Sequence, residues 1–251
     1  MVEAARRALG PVGVFLPSPT ASAAPADLQR GGVRRLEQAG YRAAWTNETV
    51  GGKDALVQLA VLLAATERMV FGTGIANIWA RSPQTAHGAA ALLAQAYPER
   101  FVLGLGVGYP QQAESVGREF GKPLSTMRSY LDGMAAPSQL PAPDVVYPRI
   151  LGAHGPKMLA LAAELTDGAM PAMVEPEQTA QARELLGPDK LLVVLIDGSD
   201  EKGVPSAVAA KVDEHAAAGA DHVVVSVRIG TDFTEGIERL EHLAPDLHTV
   251  R

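Results

Sequence analysis

The chain has 251 residues, of which 47% are hydrophobic, and its formal net charge is −6. This composition is sufficient for one sizeable core, the acidic balance argues against a nucleic-acid partner, and the lack of cysteine excludes disulfides and thiolate chemistry. No apolar run approaches the roughly 20 residues of a membrane span, and the N-terminal apolar run is too short for a signal peptide. We therefore expect a cytoplasmic protein that has no membrane partner.

Short apolar runs bounded by turn residues recur along the chain and predict buried parallel strands. The predicted strands are Val12–Leu16, Arg42–Thr46, Met69–Thr73, Phe101–Leu105, Arg149–Leu151, Gly168–Pro171, Lys190–Ile196 and His222–Val227. Helical patterns follow them, several beginning with a capping residue or a proline. The predicted helices are Asp27–Gln38 with Asp27 as the cap, Ala55–Thr66, Pro83–Ala96, Pro123–Ala135, Pro156–Leu165, Pro176–Leu186, Ser206–Ala218 and Phe233–Leu243.

Eight strands alternate with helices, and this alternation suits either an open doubly wound sheet or a closed barrel. Eight such units in about 250 residues favour the barrel. The expected fold class is α/β, a (β/α)8 TIM barrel that forms a single domain over residues 1–251. In such a barrel the ligand-binding residues follow the carboxyl ends of the strands.

The third predicted strand leads into an unusual segment, Met69–Pro83, which reads MVFGTGIANIWARSP. Two glycines flank Thr73 at the strand end, a pattern typical of special backbone dihedrals or close approach to a ligand. A plain strand-to-helix turn is the alternative. Further on, Gly152–Pro156 places small residues before a helix, and free N–H groups and the helix dipole make such a helix start an anion site.

Two other patterns are weaker. The glycines at Gly104, Gly106 and Gly108 suggest a dinucleotide motif. However, they follow the fourth strand, and neither the third glycine of that motif nor its acidic residue is found at the expected position. The histidines show no metal-ligand spacing, and no GxSxG motif supports a Ser/His/Asp triad. We therefore expect no metal site.

Three segments resemble the bacterial-luciferase-like flavin and deazaflavin oxidoreductases, especially actinobacterial members that depend on coenzyme F420. They are GTGIANIWARSP in the third-strand segment, PERFVLGLGVG at Pro98–Gly108 and LGAHGPKMLALAAELTDGAMP at Leu151–Pro171. They occur in the family's order, and the resemblance extends from about Gly10 to about Val227.

The resemblance implies an oxidoreductase that moves a hydride between F420 and an organic substrate whose identity the sequence does not give. FMN is the alternative cofactor, and a degenerate non-catalytic protein is a second alternative. A homodimer and a small-molecule substrate are expected. Family members are usually longer between the seventh and eighth strands, where an excursion covers one side of the active-site mouth. Here Ile196 leads almost directly to the Ser206–Ala218 helix.

The resemblance also implies roles for particular residues. Glu48 occupies an acidic catalytic position and, in an apolar mouth, would shuttle a proton, or else it caps a helix or faces solvent. Thr49 stands where some relatives have histidine, so a histidine mechanism is not supported. Tyr109 stands where some relatives place a proton donor, or else it packs. The Gly74–Ile75 bond matches a non-prolyl cis peptide behind the ring. The predicted cofactor-binding residues, near the ring or its phosphate, are Thr73, Gly74, Ile75, Asn77, Gly106, Val107, Gly108, Gly152, Ala153, His154 and Gly155.

Overall fold

The computed structural model is a closed parallel barrel surrounded by helices, and it describes residues 1–19, 23–137, 140–199 and 204–247. Its eight barrel strands comprise nine segments because the third strand is divided in two. They are β1 (Val12–Phe15), β2 (Ala43–Thr46), β3 (Val70–Thr73), β4 (Ala76–Asn77), β5 (Phe101–Gly106), β6 (Arg149–Gly152), β7 (Gly168–Met170), β8 (Leu191–Asp197) and β9 (His222–Ser226). Parallel pairing of β1 with β9 and of β3 with β5 closes the ring, so the predicted barrel is confirmed.

The helices pack around the barrel, and each lies in the sequence between two strands or at an end of the chain. They are α1 (Val2–Leu9), α2 (Ala26–Gln38), α3 (Ala55–Leu63), α4 (Pro83–Ala96), α5 (Pro110–Glu114), α6 (Pro123–Ala135), α7 (Pro156–Leu165), α8 (Pro176–Leu186), α9 (Pro205–Ala217) and α10 (Phe233–Leu247). Within the described residues, α9 is the single helix between β8 and β9, as predicted. None of these helices is both long and apolar enough to cross a membrane.

Two details differ from the sequence prediction. Asp27 is not the cap of α2, because the helix begins one residue earlier and Pro25 takes the N-cap position. Asp27 instead lies in the first turn, where a carboxylate interacts favourably with the helix dipole. The predicted Ala55–Thr66 helix ends at Leu63, and Asp54 caps its start by accepting a hydrogen bond from the Val57 amide (3.0 Å).

The unpredicted helix α1 packs against the barrel interior. The buried residues Ala5 and Leu9 belong to the same apolar cluster as the inward-facing strand residues. Arg6 donates hydrogen bonds to the carbonyls of Pro188 (2.6 Å) and Lys190 (2.9 Å), which precede β8. These contacts show that α1 covers the amino-terminal end of the barrel. The inward-facing residues are Phe15, Ala43, Trp45, Val70, Val102, Ile150, Met170, Leu191, Val193, Leu195 and Val224.

The third barrel strand is interrupted by a cis peptide between Gly74 and Ile75, which confirms the prediction for this bond. Thr73, which is completely buried, bridges the interruption. Its hydroxyl donates to the Gly104 carbonyl (2.7 Å) and accepts from the Gly104 amide (2.9 Å). The side chain of Thr73 therefore joins β3 to β5 within the barrel wall.

A buried polar pair also lies within the barrel. The Trp45 indole N–H donates to His222 Nε2 (3.0 Å), and His222 Nδ1 lies 2.7 Å from the Gly10 carbonyl. Since a carbonyl only accepts and an indole N–H only donates, His222 is the neutral tautomer with its hydrogen on Nδ1. Burial lowers the pKa of His222 to about 4, which keeps it neutral.

Candidate active site

Several predicted cofactor-binding residues meet around Ile75 at the carboxyl-terminal end of the barrel. A Cβ added to Gly106 would lie 2.5 Å from Ile75 Cγ1, and one added to Gly152 would lie 3.0 Å from Ile75 Cγ2. The missing side chains therefore let Ile75 lie across the ends of β5 and β6. Ile75 and Gly152 are partly exposed. We call Ile75, Gly106 and Gly152 the rim floor.

Glu48 lies next to the rim floor, but its surroundings are not the apolar mouth that the sequence analysis expects. Its side chain forms a bidentate ion pair with Arg81, whose side chain is only 8% exposed. The same carboxylate accepts hydrogen bonds from the Ala55 amide (2.9 Å), where α3 begins, and from the Asn77 amide (2.8 Å). The helix-capping alternative therefore describes Glu48 in part, and its ion pair was not predicted.

Arg81 joins two carboxylates at this point. It also pairs with Asp54 (2.8 Å). Burial by itself would lower the pKa of Arg81, but its hydrogen bonds to Glu48 and Asp54 outweigh burial and raise the pKa. Arg81 therefore carries its positive charge at the rim. It lies in the segment that follows β4 and is held by two carboxylates of the loop that follows β2.

Asn77 is buried, and both ends of its side-chain amide contact protein groups. Its nitrogen donates to Gln112 Oε1 (2.9 Å), and its oxygen accepts from the Trp79 amide (3.0 Å). The Trp79 indole donates to the Val107 carbonyl (2.7 Å). A side chain on Gly108 would collide with Gln112 Oε1, and its φ of 58° also favours glycine. These contacts tie the segments after β4 and β5 together.

Tyr109 lies at the outer end of this network. It is 71% exposed and precedes the short helix α5. Its amide donates to Gln112 Oε1 (2.9 Å), so the backbone is fixed while the ring is open to solvent. The packing alternative does not describe this exposed ring, and its role as a proton donor stays a prediction.

The predicted anion site lies at the start of α7, beyond β6. Gly155 is the N-cap, Pro156 is the first helical residue, and His154, Gly155 and Lys157 are all exposed. Ala153, by contrast, is 1% exposed. Only the backbone of Ala153 is thus suited to contact a ligand, whereas the following residues present open N–H groups and a cationic side chain.

Two cavities lie at opposite ends of the barrel. The larger, about 630 Å³, is lined by residues of α1 and of the amino-terminal ends of β3 and β5, so it is remote from the rim floor. The smaller, about 450 Å³, opens between the loops that follow β1, β2 and β9. Because catalytic groups in such barrels gather at the carboxyl-terminal end, we place the candidate active site at the rim floor and the smaller cavity.

Three residues at this end were not singled out from the sequence. They are Arg81, which holds Glu48, Gln112, which holds Asn77, and Lys53, which lines the smaller cavity. A charged residue within the otherwise apolar IANIWARSP run was a usable signal for Arg81. No local pattern distinguishes Gln112 or Lys53. Among the described residues, no cluster of three or more His, Cys, Asp or Glu side chains is arranged for a metal ion.

Comparison with known proteins identifies the family of the chain. The sequence model of a family described as luciferase-like monooxygenase matches residues 11–187. A putative coenzyme F420-dependent oxidoreductase of Mycobacterium tuberculosis is 32% identical, over 61% of this chain and 53% of the relative. The chain spans about half the length of the curated relatives it matches.

Two solved structures show the same fold. An F420-dependent secondary alcohol dehydrogenase in complex with an F420-acetone adduct has a TM-score of 0.73 at 14% identity, covering 94% of this chain and 98% of the other. A type II Baeyer-Villiger monooxygenase from Pseudomonas putida in complex with FMN has a TM-score of 0.73 at 13% identity, with the same coverage. Identities this low support the fold alone.

Proposed function

The chain belongs to the luciferase-like monooxygenase family, and we propose that it is an oxidoreductase that transfers a hydride between coenzyme F420 and a small organic substrate. The similarity to a putative coenzyme F420-dependent oxidoreductase of Mycobacterium tuberculosis supports this cofactor. The substrate is not identified by any of these relationships.

The observation that carries the proposal is the rim floor. Ile75 offers a partly exposed apolar side chain, and the glycines beneath it keep the neighbouring backbone close. A planar ring system suits such a surface, and the open start of α7 beyond β6 suits a phosphate. The residues present therefore fit a deazaflavin cofactor, which when bound would supply the atom that accepts or releases the hydride.

In this proposal the chain holds and orients the cofactor. The backbone of Gly106, Val107 and Gly108 would contact the ring, and the segment from Gly152 to Gly155, with its exposed His154, would hold the phosphate. Gly74 lies next to Ile75 in the chain, and Asn77 holds the loop after β4 through Gln112 and the Trp79 amide. Thr73 supports the wall through Gly104.

For Glu48 the geometry favours a positioning role. Both carboxylate oxygens already accept hydrogen bonds from Arg81 and from backbone amides. These bonds hold the loop that carries Ile75, since the Glu48 amide also donates to the Ile75 carbonyl (3.0 Å). The proton-shuttling role of Glu48 stays a prediction that requires this ion pair to open. Tyr109, whose ring is open to solvent, is the other predicted proton donor.

FMN is the second candidate cofactor, because a similarly folded monooxygenase forms a complex with FMN. A titration of the purified protein with F420 and with FMN, followed by fluorescence, distinguishes the two. We expect saturable binding of F420 that is tighter than binding of FMN. Tighter binding of FMN would make FMN the cofactor in this proposal. Saturable binding of neither compound would support a degenerate, non-catalytic protein.

A further inference from the structure

The smaller cavity, of about 450 Å³, has walls that are joined to one another and to the rim floor. Ser18, after β1, donates to Asn47 Oδ1 after β2 (3.2 Å), and the Gly230 amide, after β9, donates to the Ser18 carbonyl (3.3 Å). The residue next to Asn47 is Glu48, whose amide is bonded to Ile75. The cavity is therefore built from three connected loops beside the proposed position of the ring.

The lining of this cavity has two chemically different sides. Pro17, Ile229 and Phe233 supply apolar surface. Ser18, Asn47 and Thr49 supply hydroxyl and amide groups, while Lys53 is the one charged residue among the described residues of the lining. A ligand that combines an apolar body with a polar, negatively charged end would match both sides.

Lys53 is the informative member of this set. It is partly buried, and burial lowers its pKa. Among the described residues, none forms a hydrogen bond or an ion pair with its side chain. The neighbouring carboxylates are already engaged, since Glu48 and Asp54 both pair with Arg81. A partly dehydrated ammonium without a counterion is unfavourable, and an anionic ligand would relieve that cost.

We propose that this cavity is the substrate subsite and that it takes an organic carboxylate with an apolar body, with Lys53 as the residue that selects the anionic end. The assignment as a substrate subsite rests on the proposed function, because that function places the reacting ring at the adjoining rim floor. The ligand class itself rests only on the cavity and its lining.

The test compares carboxylates with neutral amides of the same shape. Octanoate, benzoate and phenylacetate, and the three corresponding amides, are titrated into the wild-type protein by calorimetry. We expect at least one carboxylate to bind more tightly than its amide. Lys53→Met should weaken that carboxylate by about tenfold or more and leave the amide unchanged, since a hydrogen bond to a charged group is worth this much. Lys53→Arg should retain much of the preference.

Two controls keep the outcomes separate. Lys122→Met removes an exposed lysine at the start of α6, outside the cavity lining, and should not change carboxylate binding. F420 and FMN titrations on wild type and Lys53→Met should agree, which also shows that the variant is folded. If no carboxylate is preferred over its amide, or if Lys53→Met has no effect, the proposal is overturned. If a Lys53-dependent preference is found but neither cofactor binds, the anion site stands and the proposed oxidoreductase function fails.

Discussion

At the level of single residues, Glu48 and Arg81 determine how the rim is held. They lie 33 positions apart in the chain, yet their side chains form a bidentate ion pair that is largely buried. The pair connects the end of β2 to the segment after β4. Breaking a buried pair leaves an uncompensated charge, so its effect should exceed that of an exposed ion pair.

Glu48→Gln separates the positioning role from proton transfer. If Glu48 positions the loop, the variant should lose roughly 3 kcal/mol of unfolding free energy. Its cofactor binding should also weaken, because the loop that carries Ile75 is released. If Glu48 shuttles a proton, turnover should fall by about 10²–10⁴ while stability and cofactor affinity stay close to wild type. Urea unfolding and cofactor titration on the same preparation distinguish the two results, because only the positioning role predicts losses in both.

Asp54→Asn is the matched control for this experiment. Asp54 pairs with the same Arg81, but its side chain is 44% exposed. Asparagine is an equally good N-cap residue, so the cap of α3 is preserved. We expect a loss of at most about 1 kcal/mol. A loss as large as that of Glu48→Gln would show that the burial of Glu48 is not what matters.

Thr73 provides a second prediction at the residue level. Thr73→Val keeps the shape of the side chain but removes the hydroxyl that bonds both backbone groups of Gly104. We expect a loss of about 1–3 kcal/mol in urea unfolding, because these buried groups lose a partner. Thr73→Ser keeps the hydroxyl and should lose about 1 kcal/mol for the missing methyl. Equal stability of the two variants would contradict a bridging role for the hydroxyl.

At the level of elements, the start of α7 offers a test of the phosphate site. Gly155 is its exposed N-cap, with ordinary backbone angles (φ −92°, ψ 156°) and no atom within 4 Å of an added Cβ. Gly155→Asp and Gly155→Ser should both fold, since both are favoured N-caps and change stability by only a few tenths of a kcal/mol. Any difference between them in ligand binding therefore reflects charge.

We expect Gly155→Asp to weaken cofactor binding by about tenfold or more, because its carboxylate would lie beside the phosphate. Gly155→Ser should bind nearly as the wild type does. Fluorescence titrations at low and high salt measure both, and the defect should shrink as salt screens the repulsion. Normal binding by Gly155→Asp would place the phosphate elsewhere.

At the level of the whole molecule, the sequence predicts what depends on local pattern. The eight barrel strands were recognised because apolar runs such as Lys190–Ile196 stand between turn residues, and the cis bond was recognised from the family resemblance. Strand ends moved by one residue, as β8 shows by running from Leu191 to Asp197. Helix α1 was missed because its eight residues form barely two turns, although its buried residues, Ala5 and Leu9, are at helical spacing.

The contacts that organise the rim could not be predicted in this way. Glu48 meets Arg81 and Asn77 meets Gln112 only after the barrel has closed, over separations of 33 and 35 residues. The sequence placed Glu48 at the rim, and the lone charge in IANIWARSP marked Arg81, but no local pattern joins the two residues. The same holds for Lys53, because the absence of a partner for its side chain among the described residues is a property of the folded cavity.

The pH dependence of stability gives a final prediction for the whole fold. The pKa of His222 is lowered to about 4 by burial, whereas an unfolded histidine has a pKa of about 6.5. Between these values the unfolded chain binds the extra proton and the folded chain does not, so stability falls as the pH is lowered. The shift corresponds to roughly 3 kcal/mol, lost between about pH 6.5 and pH 4. Burial also lowers the pKa of His215, which adds to the loss in the same direction.

His222→Gln isolates this contribution. Glutamine can still donate to the Gly10 carbonyl or accept from the Trp45 indole, but it cannot take up a proton. We expect a lower stability than wild type at neutral pH and a smaller decline on acidification, so the two curves should converge as the pH approaches about 4. Urea unfolding at several pH values measures both curves, and taking their difference cancels the contribution of carboxylates common to the two proteins. Parallel curves would mean that the Trp45–His222–Gly10 arrangement does not hold the histidine neutral.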